Sequence, residues 1–316
     1  MTYCHKPAAG RNARLRTVLG LLLLTAVLWP ACGVCAEDAG GFTVVLLPDT
    51  QFYSEKFPDT YLAQTEWIKQ HAEDERIEFV IHLGDIVQNH DAEAEWKAAD
   101  RAHRVLDGAV PYSVLPGNHD MSKERDSTLY NKYFSPARFK DRPWYGGSMD
   151  ETNDNNYCLF TAAGMDFMVL SLEYRPRDHV VDWANRVIAE HPGRRVIVAT
   201  HRYMSPDKRT ETGDRLWQKL IRHHADVFLA VSGHHMEVNH QTSTNEAGRP
   251  VHELLCDYQG QPNGGNGWLQ LLRFDPGRDE IRVETYSPTL KQHKREPAHN
   301  YTLDYDMGPA ARKKAG

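Results

Sequence analysis

The sequence has few features typical of fibrous, disulfide-rich or multi-span membrane proteins. Its 316 residues include only five cysteines, and three of these, Cys4, Cys32 and Cys35, lie within the first 36 residues. No internal repeat, charge run or linker rich in proline, glycine and serine divides the rest of the chain. We therefore expect one large domain over residues 37–316. The apolar run at residues 18–28 is short for a membrane span of about 20 residues.

Positive charge is also scarce. The formal net charge is −6, and the first 36 residues carry four Lys and Arg residues but no Asp or Glu, so the rest of the chain carries −10. This acidity argues against a groove for nucleic acid. An anionic protein that binds phosphate needs a local source of positive charge, such as a metal ion.

The first 36 residues predict a signal peptide. Three arginines precede the apolar run, and small residues at positions 34 and 36 suit cleavage before Glu37. The mature protein would then be exported to the periplasm or the outside of the cell, with no stable membrane span. An uncleaved anchor is the first alternative. Lipidation at Cys32 or Cys35 is the second.

Two cysteines remain in the predicted mature chain, Cys158 and Cys256. Export would permit a disulfide between them. Both lie in apolar, strand-like stretches, however, where a buried thiol is the ordinary state. The sequence therefore leaves their pairing open.

Apolar, β-branched runs alternate with segments of helical spacing along most of the chain. Such alternation is typical of βαβ units and a largely parallel sheet. After residue 231, predicted strands at 251–258, 268–274 and 281–286 follow one another without a helix, which favours antiparallel or mixed pairing. The earlier strands are predicted at 42–47, 79–83, 112–115, 167–172, 196–199 and 227–231, and the helices around 61–68, 96–106, 180–188 and 216–221.

Side chains that can bind metals follow five of the predicted strands. Because ligands of open α/β sheets bind outside the carboxyl ends of the strands, we expect these residues to share one crevice. A single Asp, Asn or His in such a place is usually a turn residue, a helix cap or a packing residue. Five such sites in a row are poorly explained as turn, cap or packing residues. The sites are Asp49, Asp85, Asn118-His119-Asp120, His201 and His234.

The order Asp-x-Gln, Gly-Asp, Gly-Asn-His-Asp, His and Gly-His over residues 49–235 resembles the calcineurin-like metallophosphoesterase superfamily. The match is to the branch whose first motif reads Asp-Thr-Gln. The resemblance implies an α/β fold, a four-layer α/β/β/α sandwich of two mixed sheets flanked by helices. It also implies a centre of two divalent ions, drawn from Mn, Fe, Zn or Mg, at the strand ends.

By motif, Asp85 would bridge the two ions. The first ion would be held by Asp49 and Gln51, and the second by Asn118, His201 and His234. The family mechanism implies attack on phosphorus by a hydroxide that bridges the metals. His119 would assist the leaving group while Asp120 orients its imidazole. The implied activity is hydrolysis of phosphomonoesters or phosphodiesters, and export favours a small phosphoester or a nucleotide as the substrate.

Two positions depart from the superfamily pattern, which usually reads Asp-x-His at the first motif and Gly-His-x-His at the last. Here Gln51 and Met236 stand in place of histidines, and both changes affect the first metal site. Either His235 shifts into the vacancy or the first site binds more weakly and prefers harder ions. Packing beneath the site is an equally good interpretation of Met236.

Arg202, next to His201, is a candidate to bind the phosphoryl group, because a guanidinium can bind it with two hydrogen bonds. The competing interpretation of the whole chain is a non-catalytic protein that binds metal and ligand on a degenerate phosphoesterase scaffold. Gln51 and Met236 motivate it. The intact Asp85, together with the His119 motif, argues against it.

Overall fold

A computed structural model describes residues 40–308 of the protein. The predicted signal peptide, residues 1–36, lies outside the described residues. Within them the strands are β1 (Phe42–Leu47), β2 (Ile77–His82), β3 (Tyr112–Ser113), β4 (Tyr145–Ser148), β5 (Asn156–Ala162), β6 (Met165–Leu172), β7 (Arg195–Thr200), β8 (Val227–Ser232), β9 (Val238–Thr244), β10 (Pro250–Cys256), β11 (Leu269–Asp275), β12 (Glu280–Ser287), β13 (Gln292–Lys294) and β14 (Asn300–Asp304).

The helices are short to medium in length, and seven of the eight lie before β8. A 3-10 turn, Ile221–His223, follows the seventh of them. The helices are α1 (Gln51–Lys56), α2 (Pro58–Gln70), α3 (Glu93–Arg104), α4 (Thr128–Tyr133), α5 (Pro136–Phe139), α6 (Asp178–Glu190), α7 (Glu211–Lys219) and α8 (Pro262–Gly265).

The strands form two mixed sheets. In the first sheet the order is β13-β12-β11-β1-β2-β3, with β14 also paired to β12. In the second sheet the order is β4-β5-β6-β7-β8-β10-β9. Strand β1 pairs in parallel with β2 and antiparallel with β11, so the first sheet joins the beginning and the end of the domain.

Apolar residues on both faces of the central strands explain the layers. In β1, Val44 and Leu46 face a core that lies between the two sheets, whereas Val45 and Leu47 face the core beneath α2 and α3. A third core packs α6 and α7 against the outer face of the second sheet. The predicted four-layer α/β/β/α sandwich of two mixed sheets is thus confirmed, because strands covered on both sides need continuous apolar runs.

The predicted strands are present, with small differences at their ends. The run at 112–115 forms only the two-residue strand β3 at the edge of its sheet. The mixed pairing predicted after residue 231 is also confirmed, because β10 is parallel to β8 and antiparallel to β9.

Cys158 and Cys256 are free, buried thiols. Of the two alternatives that the sequence leaves open, the structure therefore shows the buried thiols and no disulfide between these two residues. Within residues 40–308, no helix combines the length and the apolar character needed to cross a bilayer.

Candidate metal centre and active site

The predicted ligands converge where strands of both sheets end. β1, β2 and β3 run parallel to one another in the first sheet, and β7 and β8 run parallel in the second. Parallel strands present their carboxyl ends at one edge, so the residues that follow them meet there. The residues that follow these strands are Asp49, Asp85, Asn118, His201 and His234.

His201 lies at the middle of this group. Its Nε2 is 3.1 Å from Asp85 Oδ2 and 4.0 Å from Asp49 Oδ2. His234 Nδ1 is 3.2 Å from the same His201 nitrogen. Donor atoms of Asp85, His201 and His234 all lie within 4.8 Å of one another, a spacing at which one ion could contact all three.

The backbone around the group is tightly folded. Asp85 and His234 have φ values of 49° and 74°, in the left-handed region that few non-glycine residues adopt. A Cβ on Gly117 would collide with Asp85 Oδ1, and one on Gly233 would collide with Asp49 Oδ1. Glycine at these two positions therefore allows the carboxylates to lie against the main chain.

Four buried carboxylates gather here with little basic compensation. Asp49, Asp85, Asp120 and Asp257 are each 1% exposed. Among the described residues, no Lys or Arg forms an ion pair with any of them, and His201 lies beside Asp85 and Asp49. Burying unpaired carboxylates is costly, so the arrangement favours a bound cation.

The electrostatics of these groups reflect their crowding. Burial, together with the nearby Asp257, raises the pKa of Asp49 well above its ordinary value. Burial also raises the pKa of Asp257 to about 6, and burial beside Asp85 raises that of Asp120 to about 7. Although burial opposes it, the charges of Asp85 and Asp49 raise the pKa of His201 to about 10. A divalent ion bound here would offset the negative charge that the imidazolium of His201 otherwise offsets.

Several amide oxygens around the carboxylates are buried and lack a hydrogen-bond donor. They are Gln51 Oε1, Asn118 Oδ1 and Gln259 Oε1. The amide nitrogen of Gln51 donates a 2.7 Å hydrogen bond to Gln88 Oε1, which fixes the direction of its free oxygen. Carboxylate and amide oxygens with imidazole nitrogens form a donor set that suits Mg, Mn, Fe or Zn. The residues present therefore fit divalent ions.

The imidazole of His119 is held by a main-chain group. Its Nδ1 lies 2.8 Å from the carbonyl oxygen of Gln88, which leaves Nε2 free to face a substrate. The sequence predicts that Asp120 orients this ring, whereas among the described residues the structure shows no hydrogen bond between the two side chains. The Asp120 carboxylate accepts hydrogen bonds from the backbone N–H groups of Val87 (3.0 Å) and Gly117 (2.8 Å), so it braces the two loops that carry the motifs.

A cavity of about 450 Å³ opens beside His119. Its wall includes Lys123, Arg125 and Asp91, and Arg125 forms a 2.9 Å ion pair with the buried Glu173. Tyr174 forms another part of the wall, and its ring centroid lies 5.9 Å from that of His201 and 5.5 Å from that of His234. His119 and Asn118 also line the cavity, so a substrate group placed here would reach the predicted acid.

Arg202 is half-buried beside the histidines, and its Nε is buried without a hydrogen-bond partner. Within residues 40–308 it forms no ion pair with a carboxylate. Its charge is among the causes, after burial and His201, that lower the pKa of His234 to about 3. A guanidinium in this state is available to an anionic ligand.

Met236 is not packed beneath the site. It is 58% exposed and lies against the main chain of Gly260. The preceding His235 is half-buried with an unpartnered Nε2, and its ring centroid is 4.8 Å from that of His234.

Four residues of the site were not found from the sequence. They are Gln88, Tyr174, Asp257 and Gln259. Asp257 could have been found, because it directly follows β10, whose last residue is Cys256. The prediction extended that strand to residue 258, which concealed a strand-end carboxylate of the same kind as Asp49 and Asp85.

Comparison with known sequences gives a consistent result. A family model of calcineurin-like phosphoesterases matches residues 42–238. The uncharacterized protein YvnB of Bacillus subtilis (strain 168) is 35% identical over 287 residues, which cover 86% of this chain. The match covers 22% of that relative, so the chain spans about a fifth of its length.

Two solved structures resemble the fold. The purple acid phosphatase PPD1 from seeds of yellow lupin (Lupinus luteus) has a TM-score of 0.59 and 15% identity, over 85% of this chain and 54% of that one. GAP50, the anchor in the inner membrane complex of Plasmodium, has a TM-score of 0.51 and 14% identity, over 84% and 88%. At such identities the likeness concerns the fold alone.

Proposed function

Because the chain belongs to the calcineurin-like phosphoesterase family, we propose that it hydrolyses small phosphoesters with divalent ions as cofactors and His119 as the group that assists the leaving oxygen. The observation that carries the proposal is the meeting of Asp85, His201 and His234 beside a cavity whose wall includes His119.

The proposed centre holds two divalent ions. Asn118, His201 and His234 would hold one ion, Asp49 and Gln51 the other, and Asp85 would contact both. Bound divalent ions supply a water activated for attack and offset negative charge on the phosphoryl oxygens. The unpartnered amide oxygens and the unpaired buried carboxylates support this assignment.

The chain's own residues would divide the remaining work. The Gln88 carbonyl accepts the Nδ1 proton of His119 and so directs Nε2 toward the cavity, where it can donate a proton to the leaving oxygen. Arg202, with an unpartnered Nε, would bind the phosphoryl oxygens and position them. Lys123, in the wall of the cavity, would attract the anionic substrate.

A small phosphoester or a nucleotide is the proposed substrate, acted on outside the cytoplasm. The signal-like N-terminus supports the location, and the charge of −10 outside the first 36 residues argues against a nucleic-acid polymer as the substrate. Recovery of the protein from the periplasm or medium, with Glu37 as its first residue, would support export. A retained Met1 in a membrane fraction would contradict it.

The second candidate function is metal and ligand binding without turnover. Gln51 and Met236 favour it, because each replaces an imidazole that the superfamily usually has at the first metal site. The strand-end carboxylates and His119 weigh against it, because they are kept in a connected hydrogen-bond arrangement.

Hydrolysis by the purified protein separates the two candidates. The protein is stripped of metal, reloaded with Mn, Mg, Zn or Ca, and assayed with a nitrophenyl phosphomonoester and the corresponding diester. Metal-dependent turnover that is lost in Asp85→Asn would establish the enzyme, and the preferred ester would define the substrate class. Tight metal binding by a folded protein without turnover of either ester would support the binding function.

A further inference from the structure

Asp257 occupies a position equivalent to the other strand-end carboxylates. It directly follows β10, and β10 pairs in parallel with β8, the strand that precedes His234. The Asp257 N–H donates to the carbonyl oxygen of Glu237, next to Met236. Asp257 is therefore bonded to the segment that contains Met236, the position at which the superfamily usually has a second histidine.

The side chains of Asp257 and Asp49 share a hydrogen-bond donor. Gln259 Nε2 donates to Asp257 Oδ2 at 3.0 Å and to Asp49 Oδ2 at 3.2 Å, so both carboxylates converge on one amide group. The amide oxygen of Gln259, a residue 6% exposed, is buried without a partner, and so is the amide oxygen of Gln51, which is 3% exposed. Asp49 therefore has a second carboxylate and an amide with an unpartnered oxygen beside it.

Charge gives an independent reason for a cation here. Asp49 and Asp257 are both 1% exposed, and neither pairs with Lys or Arg in the described part of the chain. The amide of Gln259 neutralises neither carboxylate. Two such groups side by side in the interior need a compensating positive charge.

We propose that Asp257 is a further ligand of the first metal position, in place of the imidazole that Met236 cannot supply. The inference rests on the proposed two-ion centre. The first position is then made of oxygen ligands alone, from Asp49, Gln51, Asp85 and Asp257. The second position retains the imidazoles of His201 and His234.

The two donor sets differ in hardness, and this sets metal preference. Oxygen ligands suit Mg and Mn, whereas imidazole ligands favour Zn and Fe. The centre is therefore asymmetric, with a hard ion at the first position and a softer ion at the second. A single metal supplied at limiting concentration fills the two positions in sequence.

Metal binding tests the proposal without reference to turnover. The metal-free full chain is loaded with one equivalent of Zn and then titrated with Mn by calorimetry. We expect a second Mn-binding step in the wild type, and in Asp257→Asn a Kd for that step that is raised roughly 10- to 100-fold with the Zn step unchanged. Asp154→Asn is the matched control, because Asp154 holds Ser127 and Asn131 outside the site. Equal Mn affinity in wild type and Asp257→Asn would overturn the proposal.

A spectroscopic readout on the wild type avoids any effect of the substitution on folding. Electron spin-echo measurements on Mn bound after Zn detect directly coordinated imidazole nitrogen. The oxygen-only position predicts no such nitrogen signal, whereas a strong one would show that His235 has moved into the vacancy and would overturn the assignment. Hydrolysis assays on the same samples keep the two questions separate, because ion binding can follow the prediction whether or not an ester is cleaved.

Discussion

At the residue scale, a backbone carbonyl does the work that a carboxylate was expected to do. The Gly-Asn-His-Asp motif suggested that Asp120 supports His119, since the two are adjacent in sequence. In the structure the imidazole Nδ1 bonds to the main-chain carbonyl of Gln88, more than thirty residues earlier, and the Asp120 carboxylate bonds to main-chain N–H groups. Contacts of this long range leave no pattern in a single sequence, so the motif residues could be predicted and their supporting partners could not.

Substitution of His119 should affect reactions according to their leaving group. We expect His119→Asn to lower kcat about 10²- to 10⁴-fold for an alkyl phosphoester, because an alkoxide needs a proton as it departs. The loss should be much smaller for a nitrophenyl ester, whose leaving group is stable as an anion. The measurement is kcat for both esters. Equal losses would indicate that His119 positions the phosphoryl group instead.

Substitution of Arg202 should weaken binding of the phosphoryl group. A hydrogen bond to a charged group contributes about 1.5–3 kcal/mol, so Arg202→Gln should lower kcat/KM by about tenfold to a hundredfold. Arg101→Gln is the control, since Arg101 is exposed on α3 and far from the motifs in sequence. Unchanged kcat/KM in Arg202→Gln would remove Arg202 from the site.

At the element scale, most of the strands that could be predicted have continuous apolar runs, although β12 was predicted despite its alternating burial and β5 was missed despite its apolar residues 157–160. Strand β1 was clear because both of its faces are buried. Strand β9 was missed because its residues alternate between half-buried and exposed at the edge of a sheet. Its polar sequence has no apolar run, and only pairing with β10 makes it a strand. Edge strands such as β4, β13 and β14 were missed for the same reason.

A buried ion pair joins β10 to the loop that follows β7. This loop also carries Arg202. Arg209 makes two hydrogen bonds of 2.5 and 2.6 Å with Glu253, whose side chain is fully buried, and its guanidinium lies 4.1 Å from the Trp217 ring. The pair therefore links two strands that contribute to the site.

Removing one partner of that pair should be costly. We expect Arg209→Leu to lower the free energy of unfolding by about 3–5 kcal/mol, since it leaves the Glu253 carboxylate buried and unpaired. The double variant Arg209→Leu/Glu253→Leu should recover most of the loss. Urea unfolding of the three proteins provides the comparison. A double variant as unstable as the single one would show that packing of Arg209 on Trp217 matters more than its charge.

At the scale of the whole molecule, buried histidines should make stability depend on pH. Burial, with the nearby charge of Arg138, lowers the pKa of His103 from 6.5 to about 3. The unfolded chain therefore binds a proton first as the pH falls. The contribution of His103 is fully present above pH 6.5 and declines between pH 6.5 and 3.

The expected loss between pH 8 and pH 5 is about 2 kcal/mol from this group. In His103→Leu, which cannot titrate, the fall in unfolding free energy over the same range should be smaller by that amount. Denaturant unfolding at several pH values measures the difference. Parallel pH profiles for the two proteins would show that another group dominates the acid sensitivity.

The position of β1 in the first sheet has a consequence for how the protein is made. β1 emerges from the ribosome before the other described strands, yet one of its two neighbours, β11, begins at Leu269. A nascent chain that has reached only residue 238, where the family match ends, already holds Asp49, Asp85 and both site histidines. It lacks β11 to β14 and Asp257, so one edge of β1 is bare and able to pair with another chain. Synthesis must therefore pass β11 before both edges of β1 are paired, and a chain interrupted earlier is prone to aggregate.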